Sequence, residues 1–145
     1  MNRRETAVSK FKEGYCCAQS VLFSYAERLN ISTDMALKMA DGFGAGMGRK
    51  QKVCGAISGA ILALNLLYGR GENDDEDQHE FAYSKVKDLI DKFEAKNGTA
   101  TCKELLHGCD LLTPEGQDTF KTQNMIEQCY GYVDDTVAIL EELID

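Results

Sequence analysis

Six cysteines are distributed along the 145-residue chain, and one of them, Cys54, lies where a glycine-rich loop meets an apolar stretch. Cys54 begins the run Cys54-Gly55-Ala56-Ile57-Ser58-Gly59, so the sequence predicts a thiol at the start of a helix. The first turn of a helix presents unpaired backbone N–H groups and the positive end of the helix dipole, and both favour thiolate over thiol. Cys54 is therefore a candidate nucleophile or metal ligand.

Helical periodicity places four of the cysteines at inward-facing or helix-start positions in four different segments. These are Cys17, Cys54, Cys102 and Cys129. The chain has no CxxC pair and no close knuckle, so the spacing does not indicate a zinc ribbon, a ferredoxin or a thioredoxin motif. Any site that these thiols share must be assembled by tertiary packing. Cys16 and Cys109 are explained more simply as small apolar residues.

The glycine-rich loop at residues 42–48 matches neither common nucleotide-binding pattern, because Met47 or Arg49 stands where a glycine is needed. Its backbone N–H groups could still form an anion-binding nest with Arg49 at the edge, although a flexible hinge is the plainer interpretation. Gly55 and Gly59 leave room beside the next helix for a ligand or for neighbouring backbone. Gly55, Gly59 and Arg49 are therefore candidate cofactor-binding residues.

The elements that must position these residues are helical, because apolar residues recur at three- and four-residue spacing and Pro114 is the single proline. Helices are expected at about residues 5–12, 16–29, 33–39, 52–68 and 122–143. Between the last two, one helix is expected to stop at Asn97-Gly98, and a short segment over 102–109 follows it. If the segment over 102–109 is helical, Cys102 and Cys109 face the same way. We expect one all-α domain over residues 1–145, a compact bundle of about six helices around the central apolar helix at 52–68.

The composition limits the classes of partner and the location. With 16 basic and 24 acidic side chains the formal charge is −8, so binding to nucleic acid is not expected, and a basic protein partner would suit the surface. The uncharged stretch at 53–68 is shorter than the roughly 20 residues of a membrane span. Because the N-terminus lacks the apolar core of a signal peptide, we expect a cytoplasmic protein whose cysteines are redox-active or metal-binding.

The chain resembles the C_GCAxxG_C_C family, small bacterial and archaeal proteins described as redox-active. The resemblance is carried by the CGAxxG motif at 54–59, the preceding Cys17, and the following Cys102 and Cys129. It extends to residues 14–21, to the loop at 42–49 and to residues 66–69. The resemblance implies a redox or metal-related role in a prokaryotic protein, with these four cysteines as the functional set.

Three functions are compatible with these residues. In the first, an oxidoreductase uses the cysteines for thiol–disulfide or electron-transfer chemistry with a redox partner protein or a small molecule. Cys54 is then the attacking thiolate, and another of the four cysteines resolves the mixed disulfide. In the second, the four thiolates bind zinc or an iron–sulfur cluster, with His107 as a further candidate ligand. In the third, a helical interaction module carries inert cysteines, or a Cys17–Cys54 disulfide stabilises the fold by roughly 4 kcal/mol.

Overall fold

The computed structural model describes residues 1–144 and consists of helices packed around one central apolar helix. The helices are α1 (Arg3–Lys12), α2 (Cys17–Ser24), α3 (Thr33–Ala40), α4 (Gly44–Met47), α5 (Gly55–Tyr68), α6 (Glu76–Asn97), α7 (Cys102–Leu105), α8 (Pro114–Thr122) and α9 (Ile126–Leu143), with a 3-10 turn at Asp41–Phe43. Within residues 1–144, the β-type pairing is limited to an antiparallel bridge between Val53 and Thr101. The predicted all-α class is confirmed.

The central helix is α5, and a glycine lets its main neighbour approach closely. Most of α5 is buried, and its most extensive contact is with α2, while α6 and α9 pack on its other sides. A Cβ atom at Gly59 would overlap the carbonyl oxygen of Ala18 and would stand 3.0 Å from the Ala18 Cα. Gly59 therefore permits α2 to lie against α5, and the backbone of Ala18 fills the space beside it.

Several helix boundaries follow from local signals that the sequence carries. The Ser32 hydroxyl accepts a hydrogen bond from the N–H of Met35 and so caps α3. Gly98 ends α6 with a φ of 87°, a left-handed conformation that glycine adopts at little cost. No helix within residues 1–144 combines the length and apolar character that crossing a bilayer requires.

Several predicted segments differ in the structure. The helix expected over residues 16–29 ends at Ser24. The segment over 102–109 is helical for a single turn, because His107 and Gly108 take φ values of 57° and 84°, and Cys102 and Cys109 therefore do not share a helix face. Where the sequence predicts a turn before the last helix, the additional helix α8 forms. Thr113 caps it by accepting from the Gly116 N–H, and Pro114 occupies the first helical position, where its missing N–H is not needed.

Candidate functional site

Four cysteines from four segments line one cavity of about 160 Å³. They are Cys17 at the first position of α2, Cys54 immediately before α5, Cys102 at the first position of α7, and Cys129 in α9. The other lining residues are Phe11, Cys16, Ala45, Gly55, Leu105, Leu106, Leu111, Phe120, Ile126 and Tyr132. Among these described residues none carries a charge. The cavity is similar in size to an apolar cavity of about 150 Å³ that stays dry and binds benzene.

The thiols of this quartet are buried, and each makes ionisation of the others harder, because two thiolates in the same site would repel each other. Burial is the main cause that raises the pKa of all four, to about 12 for Cys54 and Cys129. Repulsion from Cys54, and more weakly from Cys102, adds to this effect on the pKa of Cys17. Cys102 and Cys129 act in the same way on Cys54. Cys17 and Cys102 likewise raise the pKa of Cys129. Together these interactions link every pair of the quartet, so the four thiols share one site.

Cys54 is not the acidic thiol that its position before a helix predicts. Burial raises its pKa and outweighs the backbone N–H groups of Ala56 and Ile57, which lower it. Only 6% of Cys54 is exposed. Three basic residues near Cys54 in the chain, whose charge would favour its thiolate, lie on the exposed surface, outside the cavity lining: Arg49, Lys50 and Lys52. At neutral pH Cys54 is therefore a neutral thiol.

The bridge between Val53 and Thr101 sets the relative position of Cys54 and Cys102. Two backbone hydrogen bonds of 2.8 and 2.7 Å flank it, donated by the N–H groups of Cys54 and Cys102 respectively. Side chains alternate across an extended strand, so the residues that follow the two bridged positions both point to the opposite face. Such diagonal neighbours lie roughly 7–8 Å apart. Helical periodicity in the sequence does not indicate this pairing of residues 53 and 101.

Cys17 lies against the start of α5. A Cβ atom at Gly55 would overlap the Cys17 Sγ and would stand 2.8 Å from the carbonyl oxygen of Phe43, so glycine is required there. The backbone N–H of Ala45 is a donor to Cys17 and partly offsets the burial that raises the Cys17 pKa. Gly55 thus belongs to the cavity wall, where it makes room for a sulfur atom of the chain itself.

The glycine-rich loop reaches Cys17 through an unusual left-handed turn. Ala45 and Gly46 have φ values of 51° and 66°, and positive φ continues through Met47, Gly48 and Arg49. Left-handed backbone costs roughly 1–2 kcal/mol for each residue that carries a Cβ atom. This cost is borne next to the thiol cavity, where the turn directs the N–H of Ala45 toward sulfur.

Gln51 supports the site, although no sequence pattern points to it. It is 3% exposed, and its side-chain amide donates to the carbonyl oxygen of Cys109 at 2.7 Å and accepts from the N–H of Leu111 at 2.9 Å. Its side chain also hydrogen-bonds to Cys102 and partly offsets the burial that raises the Cys102 pKa. Gln51 therefore fastens the loop before α5 to the segment that carries Cys102 and Leu111.

Tyr132 is a second residue that sequence reasoning missed. It lines the cavity, and its hydroxyl donates to the carbonyl oxygen of Leu105 at 3.1 Å. Burial raises its pKa, and repulsion from Cys129 and Cys54 adds to the effect. Tyr132 follows Cys129 by three residues, a spacing that places both on one face of α9 and was available in the sequence.

The remaining sequence candidates have other surroundings. Cys16 lines the cavity, and its Sγ lies 3.6 Å from the carbonyl oxygen of Asp41, to which it donates. The Cys109 thiol lies outside the cavity and donates to the carbonyl oxygen of Gly116 at 3.1 Å. Three further candidates also lie outside the lining, namely Gly59, Arg49 and His107.

The four cysteines are of a residue type that binds metals, but their side chains are not arranged as in a metal site. Thiolates are the ligands that zinc and iron–sulfur clusters prefer. Within residues 1–144, however, no group of three or more His, Cys, Asp and Glu side chains is arranged to hold a metal ion. All six cysteines are free of disulfide bonds. Metal binding would therefore require the four sulfur atoms to move closer together.

Comparison with known proteins identifies the family. The C_GCAxxG_C_C family, described as "Putative redox-active protein", matches residues 15–143, a span that includes all four quartet cysteines. An uncharacterised protein of Archaeoglobus fulgidus is 29% identical over 119 residues, which cover 77% of this chain and 79% of the relative. No solved structure matches the chain. The family label writes its motif as GCAxxG, whereas in this chain Cys54 precedes Gly55. The chain belongs to the C_GCAxxG_C_C family of putative redox-active proteins.

Proposed function

We propose that the protein is a thiol-based redox protein whose centre is the cavity lined by Cys17, Cys54, Cys102 and Cys129. The supporting observation is that four neutral thiols meet in a cavity whose described lining has no charged side chain. Oxidation of two thiols to a disulfide releases two protons and two electrons and leaves no net charge behind. This couple suits apolar surroundings, because such surroundings penalise an isolated thiolate.

Cys17 and Cys54 are the pair best supported as the internal disulfide. After burial, Cys54 is the neighbouring group with the strongest influence on the pKa of Cys17, and the Cys17 Sγ rests on Gly55, the neighbour of Cys54 in the chain. Cys102 and Cys129 lie in the same cavity and are available for a further internal exchange.

The exchange reaction with an external disulfide has two steps. The thiolate of one cysteine attacks a sulfur of the external compound, a mixed disulfide forms, and the other external sulfur leaves with the bonding electrons as a thiolate. The second cysteine, as its thiolate, then attacks the mixed disulfide, closes the internal S–S bond and releases the remaining external sulfur. The external compound gains two electrons and the protein loses them. Because burial raises the pKa of both thiols, exchange with small disulfides is expected to be slow at neutral pH.

Thiolate ligation of zinc or an iron–sulfur cluster is the second candidate. It is favoured by backbone N–H groups that act on sulfur, from Ala45 at Cys17 and from Ala56 and Ile57 at Cys54, because such hydrogen bonds are typical of ligated sulfurs. It requires the sulfurs to move closer together, as disulfide formation also does.

One experiment separates these candidates. The protein is purified without air, its iron and zinc contents are measured, and its thiols are counted by alkylation in denaturant before and after treatment of the folded protein with the thiol oxidant diamide. We expect little metal and the reversible loss of one pair of thiols. Cys17→Ser should abolish that loss, whereas the matched variant Cys109→Ser should retain it. Stoichiometric metal would favour the second candidate, and thiols that never change in protein without bound metal would contradict both.

A further inference from the structure

Four exposed cations lie on the two segments that lead into the thiol cavity: Arg49, Lys50, Lys52 and Lys103. Backbone hydrogen bonds join the two segments, from the N–H of Cys102 to the carbonyl of Lys52 at 2.7 Å and from the N–H of Lys103 to the carbonyl of Gln51 at 3.3 Å. The four cations therefore belong to one surface, here called the basic surface. Its members Lys52 and Lys103 stand within two residues of Cys54 and Cys102 in the chain.

The positive charge of the basic surface is not cancelled locally. Within the part of the chain that the structure describes, none of its four cations forms a salt bridge. The salt bridges use other cations, namely Arg4, Lys10, Lys38, Arg70, Lys87, Lys92 and Lys96. No acidic residue occurs between Asp41 and Glu72, and the contacting segment carries two carboxylates, Glu104 next to Lys103 and Asp110 between the two residues that bond Gln51, against the four cations. A chain with a net charge of −8 thus carries a local excess of positive charge beside its thiols.

Two exposed apolar side chains accompany these cations. Met47, in the left-handed turn before Arg49, is 41% exposed, and Leu112 is 55% exposed. Leu112 lies near the same loop, because the N–H of its neighbour Leu111 donates to the side chain of Gln51. Apolar and arginine contacts within a charged rim are common in protein–protein interfaces.

We propose that the basic surface binds an acidic surface of a redox partner protein and holds the partner's disulfide or dithiol next to the cavity. The inference rests on the thiol redox function proposed above. It differs from the expectation drawn from composition, since the net charge suggests a basic partner whereas the surface beside the thiols favours an acidic one. A nucleic acid is a poorer fit, because the rest of this acidic chain repels a polyanion of high charge density.

The test uses synthetic peptides of one length, each with a single cysteine held as a thiopyridyl disulfide and flanked by glutamates, serines or lysines. The rate of exchange with the protein is followed by the released thiopyridone. Binding is measured separately by fluorescence anisotropy with labelled peptides in which serine replaces the cysteine. At low ionic strength we expect the glutamate peptide to bind and exchange on the order of tenfold better than the lysine peptide. The preference should nearly vanish in about 1 M salt, where the Debye length is about 3 Å.

A pair of double variants links the preference to the basic surface. The double variant Lys52→Glu, Lys103→Glu should reverse the preference for the glutamate peptide. The control double variant Lys87→Glu, Lys92→Glu changes the net charge by the same amount on α6 and should leave that preference intact. Equal binding and exchange of all peptides, or tighter binding of a DNA oligonucleotide of matched charge, would overturn the docking proposal. A charge preference in binding without any exchange would support docking and contradict the redox function instead.

Discussion

The contact between α2 and α5 can be tested by adding one methyl group at Gly59. The new Cβ atom would overlap the Ala18 carbonyl oxygen and would lie 3.0 and 3.1 Å from the Ala18 Cα and carbonyl carbon. All three atoms belong to the backbone, so no side-chain rotation can relieve the contact and the two helices must separate. Gly59→Ala therefore disturbs the contact that places Cys17 beside the start of α5.

The expected magnitude combines two opposing effects. Alanine inside a helix is favoured over glycine by roughly 0.5–1 kcal/mol, whereas overpacking of a buried contact costs about 1–3 kcal/mol. We expect Gly59→Ala to lower the free energy of unfolding by about 1–2 kcal/mol, which corresponds to a Tm lower by roughly 5 °C. Because α2 moves away from α5, the variant should also form the Cys17–Cys54 disulfide more slowly.

Gly131 provides a matched control within α9. A Cβ atom there would meet no atom within 4 Å, and its backbone φ is not positive. Gly131→Ala should therefore raise the free energy of unfolding by about 0.5–1 kcal/mol. Both variants can be followed by circular dichroism during urea and thermal unfolding, which suits a helical chain without tryptophan. If Gly59→Ala is as stable as the wild-type protein, the close packing of α2 on α5 is refuted.

Two further predictions concern the surroundings of the thiols. Gln51→Leu leaves the Leu111 N–H and the Cys109 carbonyl without their partner and should cost roughly 2–4 kcal/mol of stability. The control substitution Gln117→Leu, at an exposed residue, should lower the free energy of unfolding far less when both variants are measured by chemical denaturation. Equal losses of free energy would argue against a special role of Gln51. Unfolded thiols ionise near pH 9, whereas Cys54 and Cys129 ionise near 12 in the fold. Between those values the unfolded chain binds fewer protons, so stability should fall by about 1.4 kcal/mol per pH unit for each thiol. Below pH 9 this effect should be absent. Cys54→Ala should make the fall shallower, and stability that is flat from pH 9 to 11 would contradict the burial of these thiols.

Much of the helical framework could be predicted from local signals. The Ser32 cap, the stop at Gly98 and the apolar residues of α5 act over one or two helical turns, so the sequence alone carries them. The choice of Cys17, Cys54, Cys102 and Cys129 as inward thiols also followed from periodicity and from the family resemblance. The structure places all four around one cavity.

The remainder depends on contacts between distant segments. The bridge of Val53 with Thr101 and the two hydrogen bonds of Gln51 link parts of the chain about 50 to 60 residues apart. No local pattern marks such contacts. The acidity expected of Cys54 failed for a related reason. A helix start lowers a thiol pKa, but the amount of burial that opposes it is set by the whole fold.

The most direct test of a shared thiol centre is mass-spectrometric mapping of the disulfide in oxidised protein. The folded protein is oxidised with diamide, the remaining thiols are alkylated in denaturant, and linked peptides are identified before and after reduction. We predict a reversible intramolecular link between Cys17 and Cys54, with Cys109 alkylated throughout. Links confined to Cys16 and Cys109, links only between separate chains, or complete alkylation of all six cysteines would contradict a redox centre in this cavity.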